Sequence, residues 1–365
     1  MEIESLRRAP ELLGFDPVKL SRVEQMFQRA LDEKLFSAVT YIVFRQGRLA
    51  LSGALGTAQP DSQPQIPSNL HTIFDAASIS KTITATLLLQ LVETGEIHLE
   101  QNLSFFFPQA KEKPAGSVTL KQLATHTSGL PAWIAVHESE SPLDMILDQP
   151  LETEPGSHYT YSDLGYILIG GLLEKLMDKP LPALAHDHIF KPLGMLRTAY
   201  NPDPTLHQYL AATTAPLGQV HDPNARGMGG AAGHAGLFTT APDLARFALS
   251  MMHIHGEAAP LFPPPLGPMA LKLASTSQIP PEIGGHTIGW FAYPSGYLPR
   301  GDLLSTSAFG HTGFTGTLIL LDPVYDLILI MLTNRVYYEK ENDGSGLLRL
   351  RRLFANAVAG SIITG

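Results

Sequence analysis

The sequence contains no cysteine, which removes disulfide frameworks, thiolate nucleophiles and Cys-ligated metals from consideration. Charge is scarce too. Asp, Glu, Lys and Arg make up 16% of the 365 residues, whereas apolar types make up 44%. That balance points to a large interior and argues against a disordered tail or a charged scaffold. Basic residues are outnumbered 25 to 34, so the electrostatics do not favour nucleic acid. The one basic run, Arg349, Arg351 and Arg352, falls on a helical pattern and reads as a solvated face. No apolar stretch reaches the length of about 18 residues that a membrane span needs, because the best ones break at Glu93, Glu174, Asp322 and Asp326. The opening Met1 to Arg8 lacks the basic-then-apolar layout of a secretory signal. A soluble cytoplasmic protein without membrane insertion is expected.

Several familiar active-site signatures are also missing. No Ser sits in Gly-x-Ser-x-Gly, and no Gly-Lys pair exists to build a phosphate-binding loop. Gly227-Met-Gly229-Gly-Ala-Ala232 resembles a dinucleotide loop but follows no apolar strand pattern. The pairs His186/His188 and His253/His255 have i,i+2 spacing, which points the side chains to opposite sides of a helix, and neither has HExxH. No metal or organic cofactor is expected.

Leu20, Val23, Met26, Phe27, Ala30, Leu31 and Leu35 recur at helical spacing and predict an amphipathic opening helix. Ala38–Phe44 is rich in β-branched and aromatic residues, and Gln46-Gly47 turns it back into Leu49–Leu55 as a hairpin. Gly316–Leu321 and Leu327–Leu332 predict a second hairpin, and Leu347–Val358 a closing helix. Between these ends lie helical segments, Thr82–Glu93, Leu120–Thr125, Leu164–Met177 and Leu181–Phe190. The Gly- and Pro-rich stretches 200–235 and 255–300 read as long loops. The pattern predicts an α/β (α+β) protein in which one sheet is assembled from both ends of the chain. Residues 1–98 and 236–365 would form that discontinuous sheet domain, 99–235 a mostly helical lobe, and the cleft between them the active site.

Ser78-Ile-Ser-Lys81 places Ser78 and Lys81 on one helix face, close enough to share a proton if the lysine loses its charge. Ser80 points elsewhere. The apolar run Ile83–Val92 buries this helix and leaves a lysine in its first turn that packing does not explain. In Tyr159-Thr-Tyr161-Ser-Asp163, Tyr161 could relay a proton between Ser78, Lys81 and a leaving group. In Gly310-His-Thr-Gly-Phe-Thr-Gly316, glycines at a strand edge would admit a substrate close to the backbone, and the Phe314 N–H could complete an oxyanion hole with that of Ser78.

This set resembles the serine β-lactamase and penicillin-binding superfamily, and more closely its class C β-lactamase-related group, which includes family VIII carboxylesterases and D-aminopeptidases. The similar segments are Thr72–Lys81, Val118–Pro131, Tyr161–Gly170, Gly233–Ala245 and His311–Gly316, in the family's order. The resemblance implies a β-lactamase/transpeptidase-like fold, an antiparallel sheet flanked by helices with an inserted helical lobe. It further implies Ser78 as the acylated nucleophile, Lys81 as its base partner and Tyr161 as proton relay. His126 and His234 have no catalytic part in it and read as loop-fixing residues.

Two departures bear on substrate. Asp163 stands where β-lactamases of this type carry Asn; a carboxylate cannot donate to a substrate amide, and it could instead pair with Lys81 and raise its pKa. His311-Thr-Gly313 replaces Lys-Thr-Gly, so a fixed cation for a substrate carboxylate becomes one that titrates near neutrality. Both changes suit a small neutral ester. The expectation is a serine hydrolase with a small-molecule ester or amide substrate, a carboxylesterase for short-chain acyl esters before a β-lactamase, D-amino-acid peptidase, acyl transferase or stalled acyl binder. Phe105, Phe106 and Phe107 read as lobe core before acyl pocket.

Overall fold

The computed structural model describes residues 1–252, 255, 260–340 and 344–363; His253 lies outside the described residues. The main sheet has seven antiparallel strands in the order β3-β2-β1-β10-β9-β8-β7. They are β1 Ala38–Arg45, β2 Arg48–Gln59, β3 Ile66–Pro67, β7 Phe291–Ala292, β8 Phe309–Thr312, β9 Leu318–Asp322 and β10 Leu327–Thr333. A three-stranded sheet pairs β4 Phe74–Asp75 and β5 Ala199–Tyr200 with β6 Leu237–Thr239 between them. The two ends of the chain meet where β1 pairs with β10, Ile42 opposite Ile330.

The unbroken apolar run Leu327–Leu332 follows from burial on both faces. Ile328, Ile330 and Leu332 pack into one core with Ile42, Phe44, Ile319 and Leu321. Leu327, Leu329 and Met331 turn to the other, with Val39, Tyr41 and Val43. Strand periodicity sorts alternate side chains to opposite faces, so a strand covered on both sides shows no polar alternation. The second core is closed by Val23, Met26 and Phe27 of the opening helix Arg22–Asp32, and by Leu350 and Phe354 of the closing helix Ser345–Ala359. On the first face lie the helices Ser80–Glu93 and Ala241–Ser250.

The helix Ser80–Glu93 is buried nearly all round. Its threonines fit there because each hydroxyl finds a carbonyl: Thr82 donates to Ile79 O at 2.8 Å, Thr84 to Gly233 O at 2.7 Å and Thr86 to Thr82 O at 2.8 Å. No helix among the described residues is long and apolar enough to cross a membrane.

The stretches expected to be loops are more structured than their composition implies. Short helices occur at Pro204–Tyr209, Pro223–Gly227 and Pro268–Ser275, each opened by proline. Proline at the first helical position costs nothing, because that N–H has no intrahelical partner, and Asp203 and Asp222 cap the first two of these helices. The basic run also differs from expectation. Arg349 and Arg352 are exposed, but Arg351 is buried beneath the cleft. Phe106 and Phe107 are core, whereas Phe105 is exposed, and none of the three lines the cleft.

Candidate active site

β4 delivers the chain into a sharp turn in which Ala77 has a φ of +47°, a left-handed conformation that a non-glycine residue adopts only when its surroundings hold it. Those surroundings are specific. Asp75 accepts the Ala77 N–H at 2.8 Å, and Leu237 O of β6 accepts the Ala76 N–H at 2.8 Å. From the other side, Thr315 and Thr317 donate hydroxyl hydrogen bonds to Asp75 O and Ala76 O at 2.7 and 3.0 Å. Gly313 lies against the same turn, where a Cβ would collide with Ala76 O. Ser78 sits in this one-turn 3₁₀ segment, Ala77–Ile79, which runs into the long helix.

Lys81 is fully buried. Its ammonium donates to Ser78 Oγ at 2.9 Å, Asp163 Oδ1 at 2.7 Å and His234 O at 3.3 Å, which uses all three of its hydrogens. Burial alone would lower the Lys81 pKa, but the Asp163 carboxylate, followed by Tyr161, outweighs burial and raises it above 10.5. Lys81 therefore rests as a cation. Tyr161 is likewise pushed above its usual value, by burial first and Asp163 as well, although Lys81 and Ser78 pull it back. Ser80, by contrast, donates to Ala77 O and accepts from Leu237 N, a structural role.

His126 fixes the tyrosine segment. It has a φ of +58°; its carbonyl accepts the Thr160 N–H at 2.9 Å and its Nδ1 the Ser162 N–H at 3.1 Å, while its ring packs 4.5 Å from that of Tyr161. His234 is held at Nε2 by Asp222 at 2.8 Å. Burial pushes the Asp222 carboxyl up, but the hydrogen bond and charge of His234 bring it down to about 2. Ligand atoms of Asp163, Asp222 and His234 lie within 4.8 Å of one another. These groups are already engaged, Asp163 by Lys81 and Asp222 by His234.

His311 departs from expectation. It is fully buried on β8, its Nδ1 bonded to Thr312 O at 2.9 Å. Burial, and then the charge of Lys81, hold its pKa well below 6.5, so it is neutral where a titrating cation was expected. It does not line the cleft.

The cleft has a volume of about 540 Å³ and opens over Ser78, Asp163 and Gly313, with an aromatic wall of Trp133, Tyr161, Phe291, Tyr297 and Phe314. Neither the Ser78 nor the Phe314 backbone N–H is taken by another acceptor among the described residues. The structure thus brings Ser78, Lys81, Tyr161, Asp163, Gly313 and Phe314 together. Sequence reasoning missed Trp133, Tyr297, Phe291 and Arg351, which reach the cleft from separate parts of the chain.

A serine, a buried amine, a tyrosine and two free N–H groups are the parts needed to form and break an acyl-serine bond. The chain is similar to several known proteins. "Putative D-alanyl-D-alanine carboxypeptidase" of Salmonella paratyphi A is 28% identical over 374 aligned positions, covering 90% of this chain and 85% of that protein. Among solved structures, EstCE1, a hydrolase with promiscuous acyltransferase activity, superposes with a TM-score of 0.73 at 21% identity, covering 94% of this chain and 99% of that one. A class C beta-lactamase superposes with a TM-score of 0.74 at 19% identity, covering 92% and 95%. The family model described as Beta-lactamase matches residues 23–352. The chain is a member of the beta-lactamase family, within the serine β-lactamase and penicillin-binding superfamily of serine hydrolases.

Proposed function

We propose that the protein hydrolyses short-chain acyl esters through a covalent acyl-Ser78 intermediate. The observation that carries this reading is the 2.9 Å contact between Ser78 Oγ and the buried Lys81 amine, at the floor of an aromatic-walled cleft. In the reactive form Lys81 has lost one proton. Ser78 Oγ attacks the carbonyl carbon as its proton passes to Nζ, and the carbonyl π-electrons move to oxygen, where the Ser78 and Phe314 N–H groups hold the charge. Collapse expels the alkoxide, which takes a proton from Lys81 or, through it, from Tyr161. Water then repeats the sequence on the acyl-enzyme.

Neutral ester groups suit a site in which His311, at the position expected to hold a cation, is buried and uncharged. The test is steady-state hydrolysis of p-nitrophenyl butyrate by wild type and Ser78→Ala purified side by side. Turnover that Ser78→Ala abolishes without unfolding supports the proposal, and equal turnover refutes it.

A second reading, release of a C-terminal residue from a short peptide, draws on the Salmonella relative's name and on Arg351, a cation that lines the cleft without a carboxylate partner among the described residues. Faster turnover of an acyl-D-alanyl-D-alanine peptide than of the ester would favour it.

A further inference from the structure

Arg351 is the least expected member of the site. It lies on the closing helix, far in sequence from Ser78, and is only 8% exposed. Taking a guanidinium out of water without a counter-ion is expensive, so the partners it does have are informative. Its Nη2 donates to Gly313 O at 2.6 Å and to Thr317 O at 2.9 Å. Burial, and then the charge of Arg335, lower its pKa to about 9, and the cation persists at neutral pH.

Gly313 O belongs to the same peptide group as the Phe314 N–H. In a planar amide the nitrogen lone pair is delocalised toward the oxygen. A cation bonded to that oxygen draws the electrons further, leaves the N–H more positive and strengthens it as a donor; hydrogen bonds in a chain reinforce one another in this way. The peptide is also held in place. Gly316 N–H donates to Gly313 O at 3.0 Å. Arg335 Nε donates to Phe314 O at 2.9 Å, with its guanidinium 4.3 Å from the centre of the Phe314 ring. The Phe314 N–H, on a residue that lines the cleft, has no acceptor among the described residues.

We propose that Arg351 is a positioning residue for the oxyanion hole, its guanidinium orienting and polarising the Gly313–Phe314 peptide so that the Phe314 N–H stabilises the oxyanion formed at Ser78. This inference rests on the acyl-Ser78 reading. It assigns the cation a task on the enzyme's own backbone, and it predicts an effect on substrates of every charge.

The test compares wild type, Arg351→Lys and Arg351→Ala on p-nitrophenyl butyrate and on the half-ester p-nitrophenyl hydrogen succinate. Loss of a whole oxyanion donor typically costs 10²–10³ in kcat, so loss of its polarising partner is expected to lower kcat by roughly 10–100-fold on both esters, with KM little changed. Added guanidinium is expected to restore part of the Arg351→Ala rate. In the trapped acyl-enzyme the ester carbonyl stretch is expected to move to higher wavenumber, a readout that simple loosening of the fold would not shift in one direction. If Arg351→Ala fails to fold, Arg351→Lys decides the matter, since its side chain is one bond shorter than the reach to Nη2, which bonds both carbonyls, and it is expected to show the same changes in smaller measure. Unchanged kcat and carbonyl frequency, or a KM increase confined to the half-ester, would overturn the inference and leave Arg351 as a substrate anchor or a packing residue. Turnover that survives Ser78→Ala would instead remove the acyl-serine reading beneath it.

Discussion

Replacing Asp163 by asparagine keeps the side chain's size and deletes the charge that faces Lys81 at 2.7 Å. With the carboxylate in place the Lys81 pKa is held above its ordinary value, so at pH 7 the free amine is the scarce form. A base in such short supply makes kcat/KM climb about tenfold per pH unit until the lysine titrates. An opposite charge at this distance is worth about 1–3 pKa units, and burial, freed of its opponent, pulls the amine further the same way. Asp163→Asn is therefore expected to move the ascending limb acidward by about 1–3 units and to raise kcat/KM at pH 7 by roughly 10–1,000-fold. The assay is the pH dependence of kcat/KM for a p-nitrophenyl ester at constant ionic strength, corrected for spontaneous hydrolysis. A limb that stays in place while activity collapses at every pH would refute this reasoning and make Asp163 the acceptor.

Other consequences are directly measurable. His126→Ala removes both the Nδ1 bond to Ser162 and the ring against Tyr161, and is expected to lower kcat by about 10-fold or more. His126→Asn, which tolerates positive φ and keeps an acceptor, is expected to recover part of it. Because His311 is buried and neutral, pH profiles for an anionic and a neutral ester should differ no more in wild type than in His311→Gln between about pH 6 and 8; a selective loss of the anionic substrate near pH 6.5 that His311→Gln removes would show His311 acting as a cation. Trp133→Ala opens one wall of the cleft and should raise KM for longer or aromatic acyl groups more than for acetyl; equal effects on all acyl groups would contradict that placement.

Much of this molecule could be read from its residues, and the exceptions share a cause. The hairpins β1–β2 and β9–β10 announce themselves through dense apolar runs bounded by turns, because both sheet faces are buried. The Ser78 and Lys81 contact was also within reach, as an i,i+3 pair on a buried helix, and the resemblance to the family added Asp163 as a partner for Lys81. Arg351 was not, because helical periodicity shows which residues share a face and does not show that a loop of carbonyls lies beneath it. His311 belongs with Arg351: a histidine in a cation's position in sequence became a neutral core residue once β7, with Phe291 stacked 4.5 Å from it, covered the strand. Prolines read as breakers turned out to open helices. The aromatic wall joins Trp133, Phe291, Tyr297 and Phe314, residues that only the finished fold brings together.

The most direct test of the account is intact-protein mass spectrometry after mixing with a slowly deacylating acyl ester, followed by peptide mapping. The account predicts a single acyl adduct on the peptide that carries Ser78, formed in step with the first product equivalent and absent from folded Ser78→Ala. Turnover without any adduct in wild type, together with undiminished turnover in Ser78→Ala, would contradict it.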